Sequence, residues 1–446
     1  MNFLKKAILI VVVVIIIIIS IIIINQKKSS DEFYNEIAVQ GETKEIEGTR
    51  QIQEVDSMQT YFTLYNCINS YYNYIKDKNA EAMKCIGISN YESQKYIENT
   101  SELNGLEYFE NQKFKIDTIY TLESTYEKPY IIKGNLYYKS EIQEQYFIIF
   151  FDLNNSTFSI YKLDEEKYSK IVKGNLDFKE KNIEKNNYNT VPKTYFSDED
   201  LARIYLNDYI ENAIYYPKEA YSSLNEQYRV KRFGDYEGYI KYLKENLDVI
   251  KSMDYKSMKK PEDFPNYNDY QKYADEVYSK GIDKYKINKY DEYTEYILID
   301  TYGNYYVFNI TKPMQYDLML DTYTLDLPDF TKQYKKANVQ GKVALNIQKF
   351  IDAINNKDYK FGYNCLSDSY KKRYFSNEED FEKYIKANLF ENNNVEYKEF
   401  KEENNAYSYK IIITNANIKN GKQVVLYIAM QLEESGTGFR IAFSRE

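Results

Sequence analysis

The sequence predicts an α+β protein: an N-terminal transmembrane helix, then three tandem domains of helices packed on antiparallel sheet. Three observations predict it. The first is an apolar stripe at i, i+4, i+7, i+8 and i+11, carried by Val343, Ile347, Phe350, Ile351 and Ile354, which is one face of an amphipathic helix. The second is a change of period after Leu389: Tyr407, Tyr409, Ile411 and Ile413 alternate with polar residues, as in a half-buried strand. The third is recurrence. The same stripe is carried by Leu64, Ile68, Tyr71, Tyr72 and Ile75, and again by Ala202, Leu206, Tyr209, Ile210 and Ala213, each time ahead of strand-like alternation. Helices first and strands after, within each unit, is the order of an α+β domain.

Residues 1–28 begin with Lys5 and Lys6, continue as an apolar run over 7–24 broken only by Ser20, and end at Lys27 and Lys28. As a helix this run is about 27 Å long, close to the thickness of a bilayer core. A cleaved signal peptide would have a shorter apolar run and a small-x-small site, whereas Asn25 and Gln26 follow here. The expectation is therefore an uncleaved single-pass anchor that contacts the membrane through residues 7–24. With no second apolar run, the bulk of the chain is expected outside the cytoplasm.

Residues 29–56 are polar and acidic and read as a linker. The first domain is expected over 57–172, with helices at 59–77 and about 82–97, a turn near Asp77 and Asn79, and strands at 113–122, 130–138, 145–153 and 157–163. Residues 173–193 read as a second linker, closing at Val191-Pro192. The second domain, 194–330, opens with Ser197 and Asp200 at capping-box spacing and with Phe196 and Leu201 as a hydrophobic staple. Its helix over 201–214 precedes an aromatic, proline-containing insertion at 259–281, read as a lid, and strands at 293–299, 305–311 and 315–323. Residues 328–338 read as a third linker. The third domain, 338–446, has its helix at 343–355 and strands at 407–413 and 423–432 joined across Asn420-Gly421, a strong hairpin signal. A last strand carries Phe439, Ile441 and Phe443.

The second and third domains match without a gap after Pro217. Tyr221, Leu224, Tyr228, Phe233, Tyr239, Tyr242, Leu243 and Leu247 correspond to Tyr363, Leu366, Tyr370, Phe375, Phe381, Tyr384, Ile385 and Leu389. Cys85, Ser223 and Cys365 hold one equivalent place, each just before an apolar residue. A two-part helical region followed by about four antiparallel strands resembles the nuclear transport factor 2-like superfamily. That resemblance implies helices leaning on a curved sheet around a cone-shaped pocket, in a superfamily that holds isomerases and dehydratases beside many binding modules. An amino-terminal anchor followed by such domains is similar to conjugative-transfer and secretion subunits of Gram-positive bacteria. It implies partners among envelope or extracellular proteins, with a homo-oligomer as a further possibility.

Composition narrows the chemistry. There is no His among 446 residues, which removes Ser-His-Asp and Cys-His mechanisms, imidazole-ligated metals and a neutral-pH imidazole base. A net charge of −9 argues against general affinity for nucleic acid. Fifty-two Tyr with 23 Phe and no Trp make Tyr the main packing aromatic, ring inside and hydroxyl at the edge. Three cysteines allow a Cys67–Cys85 disulfide across a helical hairpin, although small buried core residues are the plainer reading. The acid pairs Asp198/Asp200 and Glu378/Asp380 fall in first helical turns and lack the alternating ligands of a calcium loop. No catalytic, cofactor-binding or metal residue is therefore predicted. The expected function is that of an interaction scaffold in a bacterial envelope assembly; the alternative is a small-ligand or isomerase-like site pairing an acid with a Tyr in one cone.

Overall fold

The computed structural model describes residues 43–46, 51–89, 92–94, 113–122, 127–138, 141–152, 156–175, 178–181, 185–191, 197–253, 265, 269, 272, 281–403, 406–418 and 421–446. The chain divides into two compact units, 1–196 and 197–446.

In the first unit, β1 (Thr43–Ile46) and β2 (Ile52–Glu54) precede helices α1 (Met58–Lys76) and α2 (Ala80–Cys85). Strands β3 (Lys113–Leu122), β4 (Glu127–Tyr138), β5 (Glu141–Asp152) and β6 (Thr157–Leu163) follow, then α3 (Glu165–Val172) and β7 (Phe178–Lys181). An antiparallel sheet in the order β2-β3-β4-β5-β6 forms the main layer, and β1 pairs with β7 as a separate ribbon. Helix α1 starts because the Ser57 hydroxyl accepts the Thr60 N–H at 3.3 Å, and it buries Leu64, Cys67, Ile68, Tyr71 and Ile75 on one face. Tyr71 meets Phe147 of β5 edge-on at 5.4 Å. The helix stops at Lys78, whose φ of 51° is left-handed, and Asn79 at once caps α2. Beyond α2 the Ile86 carbonyl accepts the Ile160 N–H of β6 at 2.8 Å, tying the helical corner to the sheet.

The second unit holds two such layers. The first comprises α4 (Asp198–Tyr215), α5 (Pro217–Ser222), α6 (Glu226–Arg232) and α7 (Tyr236–Ser252), with β8 (Lys284–Lys289), β9 (Thr294–Ile299), β10 (Tyr305–Lys312) and β11 (Gln315–Met319). The second comprises α8 (Pro328–Lys336), α9 (Val339–Asn355), α10 (Tyr359–Cys365), α11 (Asp368–Tyr374) and α12 (Glu378–Asn388). Its strands are β12 (Asn393–Glu403), β13 (Ala406–Asn415), β14 (Gln423–Leu432) and β15 (Phe439–Arg445). Both sheets are antiparallel meanders, β8 to β11 and β12 to β15. The capping box at Ser197 and Asp200 forms as its spacing requires.

A constant offset of 142 residues, as from Tyr221 to Tyr363, relates the helical regions of the two layers. The contacts repeat with it. Phe233 lies 5.9, 5.3 and 5.3 Å from the rings of Tyr228, Tyr239 and Tyr242. Phe375 lies 5.8, 5.4 and 5.4 Å from Tyr370, Phe381 and Tyr384. The Asn225 N–H donates to the Leu318 carbonyl at 2.9 Å, and its equivalent, Ser367, donates to Ile441 at 3.0 Å. The turn after α1 also recurs after α9, where Lys357 has φ of 58° and Asp358 caps α10.

Several expectations need correction. The transmembrane helix has no counterpart: among the described residues no helix is long and apolar enough to cross a membrane, and residues 7–24 lie outside them. The 19-residue α1 exposes Gln59, Asn73 and Lys76 on its far side. Among those residues the fold is α+β on three antiparallel sheets and a ribbon, without the predicted membrane-spanning, single-pass element. Stretches read as linkers contain structure, since β1 and β2 fall in 29–56, β7 in 173–193, and β1 pairs with β7. Residues 328–338 hold α8, because Pro328 occupies a first helical position, where its missing N–H leaves no partner wanting. The second helix of the first unit is α2, ending at Cys85; residues 95–112 and most of the insertion at 259–281 lie outside the described residues.

The packing makes a direct prediction. Phe381 of α12 is fully buried, so Phe381→Ala should destabilise the protein by about 3–5 kcal/mol, whereas Tyr374→Ala, at a position 55% exposed, should change stability by no more than about 0.5 kcal/mol. Denaturant unfolding followed by circular dichroism measures both. Equal losses would contradict this account of the third layer.

Candidate functional site

The densest buried charge in the second unit lies where its two helical layers meet. The segment after β11 turns at Asp321, which is 3% exposed. Asp321 Oδ1 accepts the N–H groups of Tyr323 at 3.1 Å and Thr324 at 2.8 Å, the local turn that an Asp favours two and three residues ahead. Its Oδ2 accepts the Thr324 hydroxyl at 3.0 Å and the Tyr228 hydroxyl of α6 at 2.8 Å. Arg232, the last residue of α6, brings Nε to 3.7 Å from Asp321 Oδ2 and Nη1 to 3.3 Å from Asp358 Oδ1. Its Nη2 donates to the Asn356 carbonyl at 3.4 Å, and the guanidinium lies over the rings of Phe233 and Tyr242. Asp358 meanwhile caps α10 by accepting the Phe361 N–H at 3.1 Å, and takes the Tyr323 hydroxyl at 3.4 Å. One cation, two carboxylates and two tyrosines thus link α6, the connector and the α9–α10 corner.

Burial pushes both carboxyls above the usual range, while Arg232 and the N–H and hydroxyl donors pull them back. Burial also raises Tyr228 and Tyr323, and the neighbouring carboxylates push the same way, so both phenols stay protonated as donors. Such a cluster holds two bodies in one geometry. Replacing it by apolar residues can be neutral, but deleting a single partner leaves a buried charge unpaired.

Beside it opens a cleft of ≈ 550 Å³, lined by Lys231, Thr324, Lys349, Phe361, Cys365 and Arg440 among others. Lys349 ion-pairs with Asp326 and sits 3.7 Å over the Phe330 ring, and Asp326 also accepts the Thr437 hydroxyl. Burial lowers the Lys349 pKa, and Asp326 opposes that shift. Burial pushes the Cys365 thiol up to about 12, which makes it a poor nucleophile.

Elsewhere in the unit acid and Tyr do converge, as the isomerase-like alternative requires. Tyr316 donates to Asp208 at 2.6 Å and Tyr306 to Asp300 at 3.0 Å. Both pairs are closed into packing: Asp208 also takes Asn212, and Asp300 takes the N–H groups of Tyr302 and Asn304. The sequence named no catalytic or ligating residue, and the acid pairs it weighed serve as helix starts, with Asp200 in a capping box and Asp380 accepting the Ser376 N–H. Among the described residues no group of three or more Cys, Asp or Glu is placed to hold a metal ion. The three cysteines are free, and Cys85 Sγ accepts from Asn186 at 2.7 Å. Arg232, Asp321, Asp358 and Lys349 escaped sequence reasoning. The signal that could have found Arg232 was its place beside the shared Phe233/Phe375 pair, where the third domain has Tyr374.

Comparison with protein-family models, curated proteins and solved structures finds no match to this chain.

Two predictions follow from the charges. Arg232→Met should destabilise by about 3–5 kcal/mol, and adding Asp321→Asn and Asp358→Asn should recover part of that loss; a triple variant weaker than the single would contradict the cluster's electrostatics. Asp352 of α9 is raised to about 6, chiefly by burial, with the Gln348 amide opposing. Its folded pKa exceeds the unfolded value of about 3.9, so the native state binds the proton more tightly and stability falls as pH rises from about 4 to about 6. Asp352→Asn should remove that fall, raising stability at pH 7 by about 3 kcal/mol and leaving pH 3 unchanged, as urea titrations at each pH would read. An unaltered pH profile would refute it.

Proposed function

We propose that this chain is a non-catalytic interaction scaffold whose second unit presents two related layers to partner proteins as one rigid body. The observation that carries the reading is the Arg232–Asp321–Asp358 cluster, which spends an arginine and two buried carboxylates on joining the unit's layers. Packing of the interiors supports it. Tyr205, Phe308 and Tyr316 fill one layer, and Phe350, Phe381 and Phe443 the other, with ring centroids 5.0 to 6.4 Å apart. Asp208, the buried carboxylate on the Tyr316 ring's hydroxyl, is met by that hydroxyl and by the Asn212 amide, whereas a catalytic acid needs an open face toward its substrate. The resemblance to nuclear transport factor 2-like domains, many of them binding modules, runs the same way.

One observation favours a second reading, that of a small-ligand protein: the ≈ 550 Å³ cleft beside Lys349 is of ligand-binding size. The two readings separate in cells. Photo-crosslinkable residues at the exposed positions Tyr285, Tyr302 and Ile418 should yield discrete adducts with polypeptides identifiable by mass spectrometry, and Lys349→Met should leave them intact. Monomer alone, together with a small molecule that co-purifies with the native chain and is lost in Lys349→Met, would overturn the scaffold in favour of the ligand.

A further inference from the structure

The last layer carries a second copy of the helix that makes the junction. Helices α6 and α11 are equivalent at the 142-residue offset, and both place a cation over an equivalent ring: Arg229 lies 5.2 Å from the Tyr221 centroid, and Lys371 lies 4.9 Å from that of Tyr363. Both end in three basic residues, Arg229, Lys231 and Arg232 in α6 and Lys371, Lys372 and Arg373 in α11. In α6 that end is occupied, since Arg232 grips Asp321 and Asp358. In α11, by contrast, none of the three cations pairs with a carboxylate among the described residues. Lys372 and Arg373 are exposed, and α11 buries no residue at all. At the position of Arg232 stands Tyr374, 55% exposed, with the Arg373 guanidinium 5.3 Å from its ring. Basic residues at a helix C-terminus also complement its dipole, but that is worth about 0.3–1 kcal/mol per charge and needs neither three of them nor an exposed ring.

We infer that the basic end of α11, with Tyr374, is a docking surface for an acidic, aromatic-bearing segment of a partner polypeptide. The inference rests on the scaffold reading and names the partner's chemistry. The chain itself shows that chemistry at α6, whose Tyr228 and Arg232 meet Asp321, two residues from Tyr323, in the acidic and aromatic stretch 320–330 that also holds Asp326, Asp329 and Phe330. At α11 the place of Lys231 keeps its charge as Arg373, Lys372 adds one where α6 has Val230, and Tyr374 at the place of Arg232 supplies a ring for stacking. Charge complementarity then selects a segment with two or more carboxylates near an aromatic residue, and desolvation of Tyr374 supplies the apolar contact that anchors such interfaces.

The probe is a fluorescein-labelled peptide with the sequence of residues 320–330, titrated with the full chain and read by anisotropy. Binding should weaken with added salt, fall about tenfold or more in the double variant Lys372→Glu/Arg373→Glu, fall less in Tyr374→Ala, and hold in Lys422→Glu, a charge reversal on another surface. A peptide with its three Asp replaced by Asn should not bind. No binding to the wild-type chain, unchanged binding to the double variant, or equal binding of the Asn peptide would each overturn the inference. Sedimentation velocity adds one further outcome. Concentration-dependent dimers abolished by the same double variant would assign the surface to a second copy of this chain and overturn the foreign segment. Failure at α11 with adducts still formed from Tyr285, Tyr302 and Ile418 would sink this surface alone; absence of those adducts would sink the scaffold reading independently of the peptide result.

Discussion

The second unit depends on a guanidinium that water barely reaches. Arg232 is taken out of solvent between Asp321 and Asp358, and this is tolerable only because both carboxylates are themselves held by N–H and hydroxyl groups from three different elements. The geometry is over-determined. Asp321 cannot shift without breaking the turn at Thr324, nor Asp358 without uncapping α10. A junction of two apolar faces could slide; one made of paired, hydrogen-bonded charges has a register. Residues 197–446 form one compact unit that contains two sheets and two helical layers, and this junction is one of the contacts between those layers.

Tyrosine makes such a junction possible in a chain without His or Trp. Each buried ring supplies apolar area, and its hydroxyl reaches a polar group that would otherwise be stranded. Tyr228 serves Asp321, Tyr316 serves Asp208, and Tyr397 donates to the Ala344 carbonyl at 3.0 Å, fastening α9 to β12. Phenylalanine would fill the same space and leave those acceptors unpaired, at about 1–3 kcal/mol each. The two layers keep the ring positions and differ in polar partners: the Tyr228 hydroxyl donates to Asp321 and that of Tyr370 to the Phe443 carbonyl, while Phe381 replaces Tyr239.

Much of this could be read from the sequence, and what could not has physical causes. The stripe of α9 and the alternation of β13 and β14 stand out because one face of each is apolar and the other wet. Strand β12 was hidden because a bulge between Tyr397 and Glu399 shifts its alternation, and β8 because its side chains are mostly exposed. Helix α8 was hidden by Pro328, a residue that marks helix starts as well as linkers. The ribbon of β1 and β7 joins segments more than 130 residues apart, and local composition carries no trace of such pairing. The junction was the least legible feature. Arg232, Asp321 and Asp358 belong to three different local patterns, and only the fold brings them to one point.

Hydrogen exchange of the full chain, resolved peptide by peptide, tests the central claim most directly, because it reads the stability of each layer separately. If the buried cluster fuses the layers, β9 and β10 should exchange at the same rate as β13 and β14 under conditions where global unfolding governs exchange, and Arg232→Met should split them into two classes. Two distinct protection classes already present in the wild-type chain, unaltered by Arg232→Met, would contradict it.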